Sequence, residues 1–184
     1  MNFSIFPSNL LKPKQDGACE HLKNFKIPEI SLPTQDGNLL KLNRADTFRL
    51  VIYCFPMTGH PDRQLPKNWN SIPGAKGCTS QTCSFRDHYD ELIINNALPI
   101  GISTQSVKDI KEMTTRLKVP YDVLSDEHLF FSKTLKLPTF LIEKKKYIKR
   151  LTLIVEKSVV KYFFYPVFPP DTHIKDVLNW LKKN

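Results

Sequence analysis

No stretch of this sequence stays apolar for the ~20 residues that a membrane-spanning helix needs. The opening residues, Met-Asn-Phe-Ser-Ile-Phe-Pro, show no basic region running into an apolar one, so no secretory leader is expected. Four cysteines in 184 residues are too few for a disulfide scaffold. The five histidines, His21, His60, His88, His128 and His173, follow no metal-ligand spacing, and no second pair completes a zinc site with Cys78 and Cys83. Internal repeats and low-complexity tracts are absent as well. These absences argue against a membrane-spanning helix, a disulfide-stapled scaffold and a repeat protein. The default expectation is a metal-free protein of a reducing cytoplasm, where paired thiols are more often catalytic than structural.

What is present is one domain's length of ordinary composition, 41% hydrophobic, with a net charge of +9. A balance this basic raises the question of nucleic acid or anionic membranes. The lysines are dispersed, however, and the one tight run, Lys144-Lys145-Lys146 with Lys149, lies between two apolar segments. It reads as a solvated hairpin tip, and neither a nucleic-acid nor a membrane partner is expected.

Residues 1–24 carry no strong period and read as an N-terminal arm ahead of a single domain over 25–184. Asp36-Gly37 between two short apolar runs predicts a hairpin. Leu50 to Phe55 is an unbroken apolar run, as in a buried central strand, and Cys54 within it reads as core. A second such strand covers Ala97 to Ser103, and Tyr121 to Leu124 is a short one. Helices are predicted from Cys78 to about Asn95, from a cap at Thr104 or Ser106 through Leu117, from Asp126 through Leu135, and from Asp171 through Leu181. Strands are predicted at about 139–142, 147–155 and 159–165. Strands alternating with helices argue for an α/β layered sheet. The long loop from Met57 to Ile72 reads as functional or mobile, with Trp69 exposed on it. Phe130 reads as core.

The stretch that organises the chain is Pro73 to Asp87, a Gly-bearing loop running into a helix marked by Phe85, Tyr89, Leu92 and Ile93. Cys78 stands where that helix begins. Free N–H groups and the helix dipole favour negative charge there, which biases a thiol toward thiolate. On position alone, Cys78 is either a reactive nucleophile or a half-exposed structural cysteine. Cys83 lies five residues on, turned by roughly 140° and about 7.5 Å along the axis. A disulfide wants Cα atoms roughly 4.4–6.8 Å apart, so these two cannot bridge while the helix is intact. If they do bridge, the first turn or two must unwind.

The run Gly77-Cys78-Thr79-Ser80-Gln81-Thr82-Cys83-Ser84-Phe85-Arg86-Asp87 resembles the active-site segment of the Q-type peroxiredoxins, the bacterioferritin comigratory protein group. Gly101-Ile102-Ser103, Leu124-Ser125-Asp126 and Arg150-Leu151-Thr152-Leu153-Ile154-Val155 resemble further segments of the same family, so the resemblance covers about residues 25–184. It implies a thioredoxin-like α/β fold, with a central mixed sheet flanked by helices. It implies a thiol-dependent peroxidase, working on hydrogen peroxide and organic hydroperoxides without metal or organic cofactor. Cys78 is then the peroxidatic thiol and Cys83 the resolving one, joined in an intramolecular disulfide that thioredoxin or a glutaredoxin reduces. Arg150 is the cation facing the thiol, and Pro56 is the proline at the strand end. Thr79 and Gln81 are expected to contact substrate, and the protein is expected to be a monomer. One departure stands out. The family places a Thr three residues before the cysteine, where this chain has Ala75. About fifteen extra residues, Thr58 to Ile72, precede the cysteine, and Thr58 is the hydroxyl expected to replace the missing one, with Thr79 as its competitor. The readings set beside this one are a disulfide oxidoreductase and a non-catalytic redox-sensing module.

Overall fold

The computed structural model describes residues 10–43 and 48–184. Its centre is a mixed five-stranded sheet. Strand β3 (Arg49–Cys54) pairs in parallel with β4 (Ala97–Ser103), and β4 in parallel with β5 (Val123–Ser125). On its other side β3 pairs antiparallel with β8 (Leu151–Glu156), which pairs antiparallel with β9 (Val159–Phe164). Two small antiparallel hairpins stand outside this sheet, β1 (Ser31–Pro33) with β2 (Leu39–Lys41), and β6 (Thr139–Ile142) with β7 (Lys145–Ile148).

The apolar run predicted as a central strand is β3, and the strand's period of two divides it between two cores. Leu50, Ile52 and Cys54 face one core, with Cys19, Leu22, Leu32 and Phe131. Val51 and Tyr53 face the other, with Phe85 of α1 (Cys78–Asp87), Leu92 of α2 (Tyr89–Ile94), Ile110 and Met113 of α3 (Val107–Leu117), and Val177 and Leu178 of α5 (His173–Lys183). Helix α4 (Phe130–Thr134) adds Phe131 to the first side. Helices thus flank both faces, the α/β arrangement expected.

Local chemistry sets the element ends. Gly37 takes φ 82 in the first hairpin turn. Glu143 and Lys144 both have positive φ, as a two-residue hairpin turn of this hand requires, and they put the lysine run at an exposed tip. Ser106 caps α3 by accepting from Asp109 N at 3.2 Å. The segment before Phe25 packs against the body. Cys19 and Leu22 are fully buried, and Asn24 N donates to Val160 O at 2.9 Å. Residues 1–9 of the expected arm lie outside the described residues.

Six expectations are corrected. The predicted helix from Cys78 to Asn95 is two helices, broken at His88, whose φ of −110° and ψ of 19° are not helical. The predicted strand 147–155 is β7 and β8, separated at Lys149-Arg150. The helix expected from Asp126 begins at Phe130, with the Asp126 carboxylate accepting from Phe131 N and Ser132 N, each at 2.9 Å. Thr172, not Asp171, precedes α5. Trp69 and Phe130 exchange roles. Trp69 is buried edge-on to Tyr147 at 5.0 Å, whereas Phe130 is 64% exposed.

Candidate active site

Gly77, with φ 94, turns the chain so that Cys78 opens α1, a conformation that favours glycine. The Cys78 thiol is 2% exposed and reaches Ala75 O at 3.5 Å. On its other side stands Arg150, which sits on the short link between β7 and β8 and whose Nη2 is 3.2 Å from Cys78 Sγ. A protonated Cys78 donates to Ala75 O. An ionised Cys78 accepts a charge-assisted hydrogen bond from the guanidinium.

Arg150 is 4% exposed and held from several directions. Its Nη2 also donates to Lys76 O at 2.9 Å and to Gly74 O at 3.3 Å. Its Nη1 donates to Gln81 Oε1. Gln81 is fully buried one turn into α1, and its contact is with Arg150 instead of the cleft. A rigid planar fork suits this task better than an ammonium would.

Cys78 opens on a cleft of about 820 Å³ that also contains Cys83. Its walls include Met57, Leu65 and Trp69 from the long loop, Thr79 and Ser80 from α1, and Arg86, Arg116 and Lys76. Cys83 is half-buried, and burial pushes its thiol above the ordinary range. Arg86 pulls back, Asp87 adds to the rise, and Arg116 again opposes it. Both cysteines are free thiols on one intact helix, as the five-residue spacing requires. The helix is pinned at its middle. The Phe85 ring stacks on Tyr53 at 4.3 Å, and Tyr121 Oη donates to Thr82 O at 3.2 Å.

The structure brings together Cys78, Cys83, Arg150, Gln81 and Thr79. It does not bring Thr58 to the thiol. Thr58 N and Oγ1 both donate to Gln105 Oε1, at 2.9 and 3.2 Å, and Gln105 Nε2 returns a bond to Thr58 O at 3.3 Å. Neighbouring Met57 and Gly59 line the cleft in its place. Pro56 lies buried at the end of β3, where its carbonyl accepts from Ser103 Oγ at 3.0 Å. The Gln105 clasp was not foreseen from the sequence. Its signal was the polar run Ser103-Thr104-Gln105-Ser106 closing a buried strand. Among the described residues, no cluster of His, Cys, Asp and Glu is arranged to hold a metal, and no helix is long and apolar enough to cross a membrane.

The AhpC/TSA family profile matches residues 69–163. Peroxiredoxin Q of Arabidopsis thaliana, described as chloroplastic, is 30% identical over 161 residues, covering 87% of this chain and 67% of the relative. The protein of the same name from Oryza sativa subsp. japonica is also 30% identical over 161 residues, and there the chain spans 66% of the relative's length. Among solved structures, the peroxidoxin BcpB of Mycobacterium tuberculosis superposes with a TM-score of 0.72 at 22% identity, over 88% of this chain and 96% of that one. That likeness shows the thioredoxin-like fold. The profile match and the relatives at 30% identity show the family: the chain belongs to the AhpC/TSA family, among its Q-type peroxiredoxins.

Proposed function

We propose that this protein is a thiol-dependent peroxidase for hydrogen peroxide and organic hydroperoxides. The observation that carries the reading is the 3.2 Å approach of Arg150 Nη2 to Cys78 Sγ at the first residue of a helix. In the first step the Cys78 thiolate attacks the terminal peroxide oxygen. An S–O bond forms as the O–O bond breaks, sulfur is oxidised to the sulfenic acid, and the departing alkoxide or hydroxide takes up a proton. Arg150 and the free N–H groups of α1 are aimed at the charge that moves from sulfur to the leaving oxygen. Thr79, beside Cys78 on the cleft wall, is better placed than Thr58 to offer a hydroxyl to the peroxide.

In the second step α1 unwinds. The Cys83 thiolate attacks the Cys78 sulfur, the disulfide forms, and the sulfenic oxygen leaves as water. A dithiol protein of the thioredoxin or glutaredoxin type then reduces the disulfide by exchange. We take the protein to be a monomer of the cytoplasm, where such donors keep thiols reduced.

Stopped-flow mixing of the reduced protein with hydrogen peroxide, followed by tryptophan fluorescence and mass mapping, tests the reading. Fast oxidation ending in a Cys78–Cys83 disulfide is expected. A rate no greater than that of a free thiol would reject it in favour of disulfide exchange or sensing. The Cys83→Ser variant is expected to consume one equivalent of peroxide and then stop in the presence of thioredoxin. Sustained turnover by that variant would remove Cys83 from the resolving role.

A further inference from the structure

We propose that residues 10–16 form a strap that positions Arg150 against the Cys78 sulfur. The proposal rests on the peroxidase reading for its purpose. Its geometry stands apart from that reading.

The strap reaches Arg150 from two sides. On one side, Leu11 O accepts from Gly74 N at 3.2 Å. The Pro13 ring lies directly over Gly74, so that a Cβ added there would meet Pro13 Cγ at 3.4 Å. Gly74 in turn presents the carbonyl that accepts from Arg150 Nη2. On the other side, the Asp16 carboxylate pairs with Lys149 Nζ at 2.9 Å and accepts from Tyr165 Oη at 3.2 Å. Gln15 Nε2 donates to Tyr165 O at 3.0 Å. Lys149 is the residue before Arg150, and its backbone N is fixed to Pro138 O at 2.8 Å. The strap therefore holds the loop that receives the guanidinium and pairs with the side chain of the residue before it.

It also covers that side of the arginine. Leu10 and Leu11 join Arg150, Ile72 and Val167 around a cavity of only about 10 Å³. Arg150 itself is only 4% exposed. A hydrogen bond from a guanidinium to a thiolate gains strength where water is excluded. Strap contact thus acts on the thiolate through Arg150, and residues 10–16 are positioning residues that touch neither peroxide nor sulfur.

The test uses the full chain. Leu11 acts through its backbone, so the variant must loosen its neighbours. Pro13→Gly removes the ring over Gly74, and Asp16→Lys sets two cations against each other. Release of the strap in P13G/D16K is read as faster tryptic cleavage after Lys14, and a thermal melt reports the fold. With the strap released, the peroxide oxidation rate is expected to fall roughly ten- to a hundredfold, the scale of a 1 Å misplacement. The pH profile of Cys78 alkylation by iodoacetamide is expected to move to higher pH. Adding Lys149→Asp, which restores the pair with its charges exchanged, is expected to recover both readouts in part. A merely structural strap would lower the melting temperature and leave the alkylation profile where it was. An unchanged rate and profile with the strap demonstrably released would overturn the proposal. Should P13G/D16K not fold, Asp16→Ala is put through the same measurements, and the same two outcomes support or overturn the strap. If the parent protein itself reacts no faster than a free thiol, the peroxidase reading fails. The alkylation profiles still decide the strap.

Discussion

Arg150 carries more of the proposed chemistry than any residue except the two cysteines. Four acceptors share its donors, namely Cys78 Sγ, Lys76 O, Gly74 O and Gln81 Oε1. An ammonium cannot reproduce a fork with that spread. Arg150→Lys is therefore expected to lose about 10²–10³ in the peroxide oxidation rate, the usual consequence of removing a preorganised donor to a developing anion. Stopped-flow fluorescence reads that rate directly, and a loss below threefold would take Arg150 out of the chemistry. Cys83 makes the complementary point. Burial holds its thiol above the ordinary range, so it is protonated at neutral pH in the folded helix. Below its pKa the thiolate fraction of such a group grows about tenfold per pH unit. Both the folded thiol and the unwound one, whose ordinary value is about 8.5, are mostly protonated below pH 8, so disulfide formation after oxidation is expected to accelerate steadily from pH 6 to pH 8. Acid-quenched mass spectrometry of the sulfenic acid and disulfide follows this, and a flat profile would mean that unwinding alone sets the rate.

The element that must move is α1, and the break at His88 limits it to ten residues. His88 Nδ1 lies 2.9 Å from Ser84 O, so the side chain competes for a helix carbonyl at the point where the helix stops. No glycine or proline marks that break, which is why periodicity ran the two helices together. The same reasoning hid the gap between β7 and β8. Lys149-Arg150 is only a polar pair within an apolar run, yet it is where the arginine turns toward the thiol. The buried strands, the Asp36-Gly37 hairpin and the cysteine at a helix start were legible because each follows from local spacing. The Thr58 clasp was not, because Gln105 arrives from 47 residues away. Trp69 was not either, because Phe140 and Tyr147 reach it from the β6–β7 hairpin. Packing also sets how readily α1 unwinds. Phe85→Leu removes a ring pair worth about 0.5–1.5 kcal/mol, part of which docks α1 on β3. Disulfide formation in that variant is expected to speed up by as much as roughly tenfold, a local-opening effect. A lower melting temperature with no faster disulfide would show that Phe85 is not part of the opening unit. In β4, Gly101→Ala would put a Cβ 2.9 Å from Tyr53 Oη, in a core where Tyr53 is already bonded to Tyr121 at 3.0 Å. Overpacking of this kind costs about 1–3 kcal/mol, and a melt should fall by several degrees.

Taken whole, the molecule closes one face of its sheet with α5, and His173 sits at the junction. Its Nε2 is 2.9 Å from Thr152 Oγ1 on β8, and its ring meets Phe164 on β9 at 5.0 Å and Phe85 on α1 at 6.4 Å. Burial holds the imidazole below its ordinary range. Asp176 on the same helix opposes this, and the positive charge of Arg150 adds to it. The folded protein therefore binds fewer protons at this site than the unfolded chain does. Stability from His173 is complete above the unfolded histidine value of about 6.5 and is lost as pH falls from there toward the lower folded value. Because the residue ties α1, α5 and two strands together, that loss belongs to global unfolding and not to one loop. The urea midpoint of the parent protein is expected to drop between pH 7 and pH 5, and His173→Gln, which keeps a polar group for Thr152, is expected to drop less. Equal slopes for the two proteins would assign the acid sensitivity to other groups. A shallower slope in the variant would show that one buried imidazole couples the packing of this face to the protons of the surrounding solution.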